Sequence, residues 1–547
     1  MDLKQFKKPF LLPVMICVVV VLPLVIFGLH DSTDLYQHIQ FASTFHHSIL
    51  AGYPYPSWSE EENFGYGSVG MRFYPPLFQF LIALVRIVTG DWHLAICIVL
   101  FLFWIAGAYG IFLWTKEFAP EKESTIAACS FLLMPYLLSQ VYTSAFYAQA
   151  CAASVLPFAF LFVTRICRGG KAGNVIGLAI SLAIVVLTNL PATVIGSMSL
   201  FVYTLTLLER RNLGSTIGKL LSGILLALFA TSFYWIRMYP ELDLFRNTRF
   251  WSDPTFDWRE HFLLTPPSKV AFGMWFNNYT LIATILMVFR GIVSSKNVGV
   301  PIRPLAILFC FAVFIMTPLS MPLWLYIPYL KEVQFPLRWQ VISSIAGAVI
   351  FGIGSVGVIN SLREKLAIKE PRSWLTAFAF VAVVVVWGQV ATKFSKHIIP
   401  AKDFSNWAEN DINSLGFEFF WTIEAKKEVF AVREKIVAPG RNARIVSWGD
   451  GEREFELDPG PEGKARLATL YYPRWQATLN GSRTELSSDE NGAMTVLAPP
   501  EASKIRVWFQ EAWYTQYAKW LSAIAWLVMI FGGIYLLLAA AFLRHSM

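Results

Sequence analysis

The feature that most constrains this chain is a series of apolar runs, most about 20 residues long, separated by short connections rich in Lys and Arg. A helix of about 20 apolar residues spans the ~30 Å hydrocarbon core of a bilayer. Backbone facing lipid must close its own hydrogen bonds, so such runs are expected as membrane helices. They lie near 9–29, 93–115, 124–141, 147–165, 174–190, 192–208, 216–236, 271–289, 303–320, 338–360, 374–392 and 517–543, about twelve spans. Composition agrees, because 55% of the 547 residues are hydrophobic and only 15% are charged, against about a quarter in soluble chains. The net charge of +8 does not point to nucleic acid: the basic residues sit between the runs, as the positive-inside rule expects of cytoplasmic loops. The six cysteines lie in or beside apolar runs without His partners, so they read as small hydrophobes and not as a zinc pattern.

The basic start MDLKQFKK precedes the run from Pro9 to Leu29, and no small-residue cleavage site follows it. That run is expected to be a retained first helix entering from the cytoplasm. The stretch from Tyr74 to Val88 is short for a span and contains Arg86. If it stays on one side, Lys116 and Lys122, then Arg165, Arg168 and Lys171, then Arg210 and Arg211, and later Arg290, Lys296, Arg303, Arg363, Lys365, Lys369, Arg372 and Arg544 all face the cytoplasm. If it crosses, these clusters face outward. It therefore reads as an interfacial or re-entrant helix.

This topology places 30–92, 237–270 and 321–337 outside, together with a C-terminal segment of different composition. There, short runs such as ATLYY, TVLAP and KIRVWF alternate with NG, DG and PG turns, which indicates strands and hairpins. The expected architecture is an α-helical polytopic membrane domain over 1–392, with a first outer loop at 30–92. An extracytoplasmic β-sandwich follows over 393–514, then a terminal helix and cytoplasmic tail over 515–547. Both termini are expected in the cytoplasm.

Few ionisable residues fall inside the runs. His93, Lys219, Arg338 and Lys519 lie at helix ends, whereas secondary transporters usually carry charge near the midplane. Chemistry is expected at the outer surface. Asp31 and Asp34 directly follow the first helix, and an amphipathic helix over 35–50 would set Asp34 and His38 one turn apart on one face. A carboxylate there can act as general base toward a hydroxyl or can simply cap the helix. Asp34 and His38 make only two ligands for a metal, a weak set. His46, His47 and the run Glu60–Glu62 read as solvated. GYGSVG at 65–70 follows no strand and reads as a flexible approach to Tyr74, not as a phosphate cradle. Arg338, after Pro336, could grip a lipid phosphate bidentately or snorkel as a helix anchor. Arg72 and Lys331 are weaker members of that positive set. The second outer loop supplies Arg246, Arg249, Asp253, Asp257, Arg259, Glu260 and His261, a mixture that suits sugar recognition and equally an ordinary wet loop.

The Asp34-x₃-His38 pair, AGYPYPSW at 51–58, GYGSVGMRFYPPL at 65–77 and QFPLRW at 334–339 resemble the bacterial membrane proteins labelled 6-pyruvoyl-tetrahydropterin-synthase-related. That label names a domain, and no pterin chemistry is inferred from it. The family in turn resembles the GT-C glycosyltransferases, and YYPRWQATLNGSRTEL at 471–486 looks like the tail of YfhO-type membrane glycosyltransferases. The resemblance implies a bacterial cytoplasmic-membrane enzyme of GT-C type. It would take a polyprenyl-phosphate sugar from among the membrane lipids and pass the sugar to a glycan, lipid or cell-envelope acceptor. It implies Asp34 as the acidic residue, with Asp31 a second candidate, and Arg338 at the donor phosphate. His38, Arg72, Lys331, Tyr74 and His261 are the further substrate-binding candidates. A divalent cation, Mg or Mn, is left open. A lipid-linked glycan flippase and a non-catalytic envelope-assembly protein are the alternatives.

Overall fold

The computed structural model describes residues 10–246, 257–263, 272–295, 302–366, 397–412, 414–449 and 451–545. Among the described residues seven helices are long and apolar enough to cross a membrane: Trp92–Thr115, Glu121–Tyr142, Tyr147–Cys167, Leu190–Leu207, Arg210–Ala230, Pro336–Ser355 and Trp513–Leu536. The pair Arg303–Ile315 and Pro318–Tyr326, bent by 87°, raises the number to 8 if it counts as one span. Leu11–Phe27, Ala172–Thr188 and Thr280–Val293 are apolar but shorter. The expected span at 374–392 lies outside the described residues.

Local chemistry sets these boundaries. The Asn189 side chain accepts from the Ala192 backbone N–H at 2.9 Å and so opens one helix where its predecessor ends. Proline at 135 and at 318 starts a new helical segment after a break. Leu77–Thr89 is closed by Gly90 in the left-handed region at φ 72°. Its 13 residues reach only about 20 Å, too short for a bilayer core. It buries Phe78, Ile82 and Ala83 and leaves Leu84, Ile87 and Val88 exposed, as an interfacial helix would.

Strands β1 (Gly28–His30) and β2 (Ile398–Pro400) pair antiparallel, joining the end of the first helix to the start of the C-terminal region. Beyond them lie β3 (Ile436–Val437), β4 (Ala443–Gly449), β5 (Glu452–Leu457), β6 (Gly463–Leu470), β7 (Trp475–Leu479), β8 (Ser482–Thr484), β9 (Leu486–Ser488), β10 (Ala493–Ala498) and β11 (Ser503–Phe509). They form a four-stranded sheet in the order β3-β6-β10-β9 and a five-stranded sheet in the order β4-β5-β11-β7-β8. Period-2 side chains from both sheets, among them Phe455, Leu467, Val496 and Val507, share one core. The β7–β8 hairpin turns on Asn480-Gly481, both with positive φ, as a two-residue type I′ turn requires.

That core is completed by the first outer loop. Trp58, Tyr66, Val69 and Phe73 are buried in it. Tyr66 donates its hydroxyl to the Val432 carbonyl at 2.6 Å, and Glu60 binds Arg453 at 2.5 Å. Two expectations are thereby corrected. GYGSVG is a packed turn, bridged from Ser68 to Ser59. At Gly67, with φ 76°, an added Cβ would lie 2.0 Å from Trp58 Nε1. Nor are Glu60–Glu62 a solvated face: Glu60 holds Arg453, Glu61 holds His47 at 2.7 Å, and Glu62 is 2% exposed.

Candidate active site

The site grows from the helix Thr33–Leu50, which leaves the first membrane helix through β1. Asp34 stands in its first turn, where the helix dipole favours a carboxylate. Burial disfavours the charged form and pushes its carboxyl up to about 6, against the pull of the Arg338 guanidinium. Arg338 comes from the turn Pro336–Trp339. It donates from Nη1 to the Val333 carbonyl at 3.1 Å and lies over the rings of Phe335 and Phe146, 4.9 and 5.5 Å from their centroids. Its Nε is buried without a partner. The two charges are within electrostatic reach, yet among the described residues no salt bridge joins them.

Tyr74 lies in the field of both charges, and burial together with Asp34 holds its hydroxyl well above the usual range. His38, one turn beyond Asp34, packs edge-on against Phe78 at 5.0 Å and Tyr74 at 6.0 Å and stacks on Tyr147 at 6.0 Å. Its Nδ1 is 3.0 Å from Gln79 Nε2, and burial pushes the ring down to about 3, so it is neutral at physiological pH. The arrangement is a carboxylate and a guanidinium that feel each other's charge, with the rings of Tyr74, Phe335 and Phe146 around them. A carboxylate of this kind can take a proton from a hydroxyl, and a guanidinium can neutralise an anion.

Of the residues expected at the site, Asp34, Arg338, Tyr74 and His38 come together. Asp31 does not: it is exposed, donates its N–H to the His397 carbonyl at 2.9 Å, and its carboxylate bonds the Tyr36 hydroxyl. Arg72 is corrected outright. It is fully buried, both its Nη groups are held by Glu241 at 2.9 Å and Glu511 at 2.7 Å, and only a buried Nε is left without a partner. Lys331 is exposed on the turn Lys331–Val333. His261 is buried edge-on against Phe335 at 4.7 Å, behind the ring that braces Arg338. Arg249 and Asp253 lie outside the described residues. Asp31, Asp34 and His38 do not assemble as ligands: among the described residues no three His, Cys, Asp or Glu side chains form a group that could hold a metal ion. Sequence reasoning missed Phe146, whose ring lies under Arg338, and Gln79, which is bonded to His38. Only Phe335, three residues before Arg338, carried a local signal. A separate cleft of about 330 Å³, lined by His46, His47, Glu61, Arg86 and Glu409, opens near the other end of the Asp34 helix.

Three solved structures are similar over most of this chain. ArnT from Cupriavidus metallidurans, in the apo state, aligns at TM-score 0.42 and 14% identity over 72% of this chain and 73% of its own. The arabinofuranosyltransferase AftD from mycobacteria aligns at TM-score 0.42 and 14% identity over 75% of this chain and 29% of its own. The oligosaccharyltransferase AglB from Archaeoglobus fulgidus, in complex with an inhibitory peptide and a dolichol-phosphate, aligns at TM-score 0.37 and 12% identity over 75% and 56%. This chain thus spans less than two thirds of the latter two. No curated protein matches the sequence. Residues 71–397, more than half of the chain, match the family described as 6-pyruvoyl-tetrahydropterin synthase related domain, membrane protein, and the chain belongs to that family.

Proposed function

We propose that this protein is a membrane glycosyltransferase that moves a sugar from a polyprenyl-phosphate carrier to a hydroxyl acceptor at the extracytoplasmic surface. The observation that carries the reading is the unclosed pairing of Asp34 with Arg338. A structural ion pair would close; a base and an anion-binding group must leave room for the reactants between them. In the reaction, the acceptor hydroxyl gives its proton to Asp34 as its oxygen bonds the anomeric carbon. The bond from that carbon to the phosphate oxygen breaks, and the polyprenyl phosphate leaves with the electron pair. Arg338 meets the charge that gathers on the phosphate. Direct displacement inverts the anomeric centre. Tyr74 and neutral His38 line the approach and hold Asp34 in a setting of low polarity. The sequence resemblance to GT-C enzymes, with an acidic residue just after the first helix, supports the same assignment.

The test is transfer from a panel of radiolabelled polyprenyl-phosphate sugars by the purified protein in lipid. Asp34→Asn is expected to lower transfer by about 10²–10⁴-fold, the usual worth of a general base, while Asp31→Asn keeps most of it. Full transfer by Asp34→Asn removes the base assignment. Movement of the donor across the bilayer with no new glycosidic bond replaces the reading with a flippase.

A further inference from the structure

Six residues beyond Asp34 on the same helix, Gln40 is buried among polar side chains of the first outer loop and of the segment 411–416. Gln40 is 2% exposed, and its Nε2 is committed to the Asp411 carbonyl at 3.3 Å and to Ser414 Oγ at 3.1 Å. A carbonyl needs a donor, so the orientation of this amide is fixed and Oε1 must face the other way. Oε1 is buried there without a partner. Around it stand more acceptors. Glu62 is 2% exposed and Asp411 7% exposed, and each has one buried carboxylate oxygen, Oε1 and Oδ2, with no partner. Serine hydroxyls answer the rest: Ser59 and Ser68 bond Glu62, and Ser414 bonds the other Asp411 oxygen at 3.0 Å.

No lysine, arginine or histidine is paired with Glu62 or Asp411 among the described residues, and Glu61 beside them is taken by His47. Glu62 and the Gln40 carboxamide oxygen border one space, and Asp411 is near enough to act on the charge of Glu62. A Cβ on Gly416 would sit 3.4 Å from Glu62 Oε2, 3.5 Å from Gln40 Oε1 and 3.2 Å from Asn63 Oδ1, so a side chain at 416 would enter the volume they share. Asn63 Oδ1 already accepts from the Gly416 N–H and from Trp421 Nε1, both at 3.0 Å, and so forms the wall of this space. Buried oxygens without donors lack their compensating partner. Two carboxylates plus a carboxamide oxygen are the ligand chemistry of a hard cation.

We propose that Glu62, Asp411 and the Gln40 carboxamide oxygen form a binding site for a hard divalent cation, with Ca²⁺ as the fitting ion. The three ligands come from the Asp34 helix, the first outer loop and the segment that leads into the sandwich. The ion would therefore fasten three separate stretches of chain at one point. It is a bracing site, and none of its ligands is among the reacting groups.

Terbium tests this directly, because Trp421 lies against the pocket wall and can sensitise its emission. Full-length protein in lipid nanodiscs, stripped with chelator, is expected to give saturable Tb³⁺ luminescence on tryptophan excitation. Ca²⁺ should displace it at lower concentration than Mg²⁺. The double variant Glu62→Gln, Asp411→Asn should lose the signal, and Gly416→Ala should weaken it at least several-fold. The wild-type thermal midpoint should rise by several degrees in millimolar Ca²⁺ but not in NaCl of equal ionic strength. Emission that survives the double substitution overturns the proposal. So does a wild-type protein with neither saturable emission nor a Ca²⁺-dependent midpoint, a result that does not depend on any variant folding.

Discussion

Asp34 is poised to exchange a proton near neutral pH because two opposing effects act on it. Burial raises its carboxyl, Arg338 lowers it, and burial prevails to bring it to about 6. A general base works only as the carboxylate, so transfer should rise with pH through about 6 and level off above it. Arg338→Ala removes the one opposing charge, so the acid limb should move to higher pH by about one unit or more, with a weaker hold on the donor. Initial rates across pH 4.5–8.5 at saturating donor check this; a limb that stays in place in Arg338→Ala would uncouple the two residues. The Asp34–His38 pair was legible in the sequence because a spacing of four residues on a helix is a local fact. The partner of Asp34 was not, since Arg338 reaches it across some three hundred residues. Arg338 could be read only as a cation at headgroup depth, with phosphate binding and snorkelling equally open. Arg72 failed for the same reason in reverse. It lies in a family-like motif, but what consumes it is Glu511, 439 positions away.

At the scale of elements, Arg72 is a clamp. It sits on the short helix Gly70–Phe73 and joins Glu241 of the turn Tyr239–Leu244 to Glu511, just before the last membrane helix. Arg237 adds a second grip on Glu511 at 2.8 Å, and Arg474 one on Glu241 at 2.8 Å. Burial works against the charge on Glu511, yet Arg237 and Arg72 hold its carboxyl down to about 2. A depressed carboxyl contributes stability that is present above its ordinary value of 4.5 and is lost as pH falls from there toward about 2. Removing one partner of a buried pair leaves the other uncompensated, so Arg72→Ala should destabilise the fold by about 3–5 kcal/mol. The remaining arginines place the effect at the lower end. Thermal unfolding in detergent measures it. An unchanged midpoint with a raised KM for the donor would instead return Arg72 to the substrate. The apolar runs themselves were readable because membrane helices announce themselves by length. Their breaks were less so: the 87° bend before Pro318 depends on packing that hydropathy does not record.

Across the whole molecule, one end of the bundle is basic and the other carries the sandwich. Arg165 and Arg168 both bind Glu117, and Lys219 donates to the Gly170 carbonyl at 2.9 Å, which gathers the loops around 117, 170 and 210 at one end. From there the chain runs through Leu213–Ala230 and Ser232–Met238 to Phe245, which is buried in the sandwich core. Those helices cover roughly 38 Å at 1.5 Å per residue, enough to cross a bilayer. The sandwich, the loop 51–92 and Asp34 therefore share the end opposite the basic loops, and the positive-inside rule predicts that this end faces away from the cytoplasm. Single cysteines decide the orientation. Cys310 is the exposed native thiol among the six, the others being buried, so Cys310→Ser gives a quiet background. In that background Arg483→Cys, on the exposed strand β8, should react with an impermeant maleimide in intact spheroplasts. Arg211→Cys, exposed at the basic end, should react only after permeabilisation. The reverse pattern would put Asp34 and Arg338 against the cytoplasm, where nucleotide-activated sugars are at hand, and the argument for a lipid-borne donor would lose its basis even if Asp34 still served as the base.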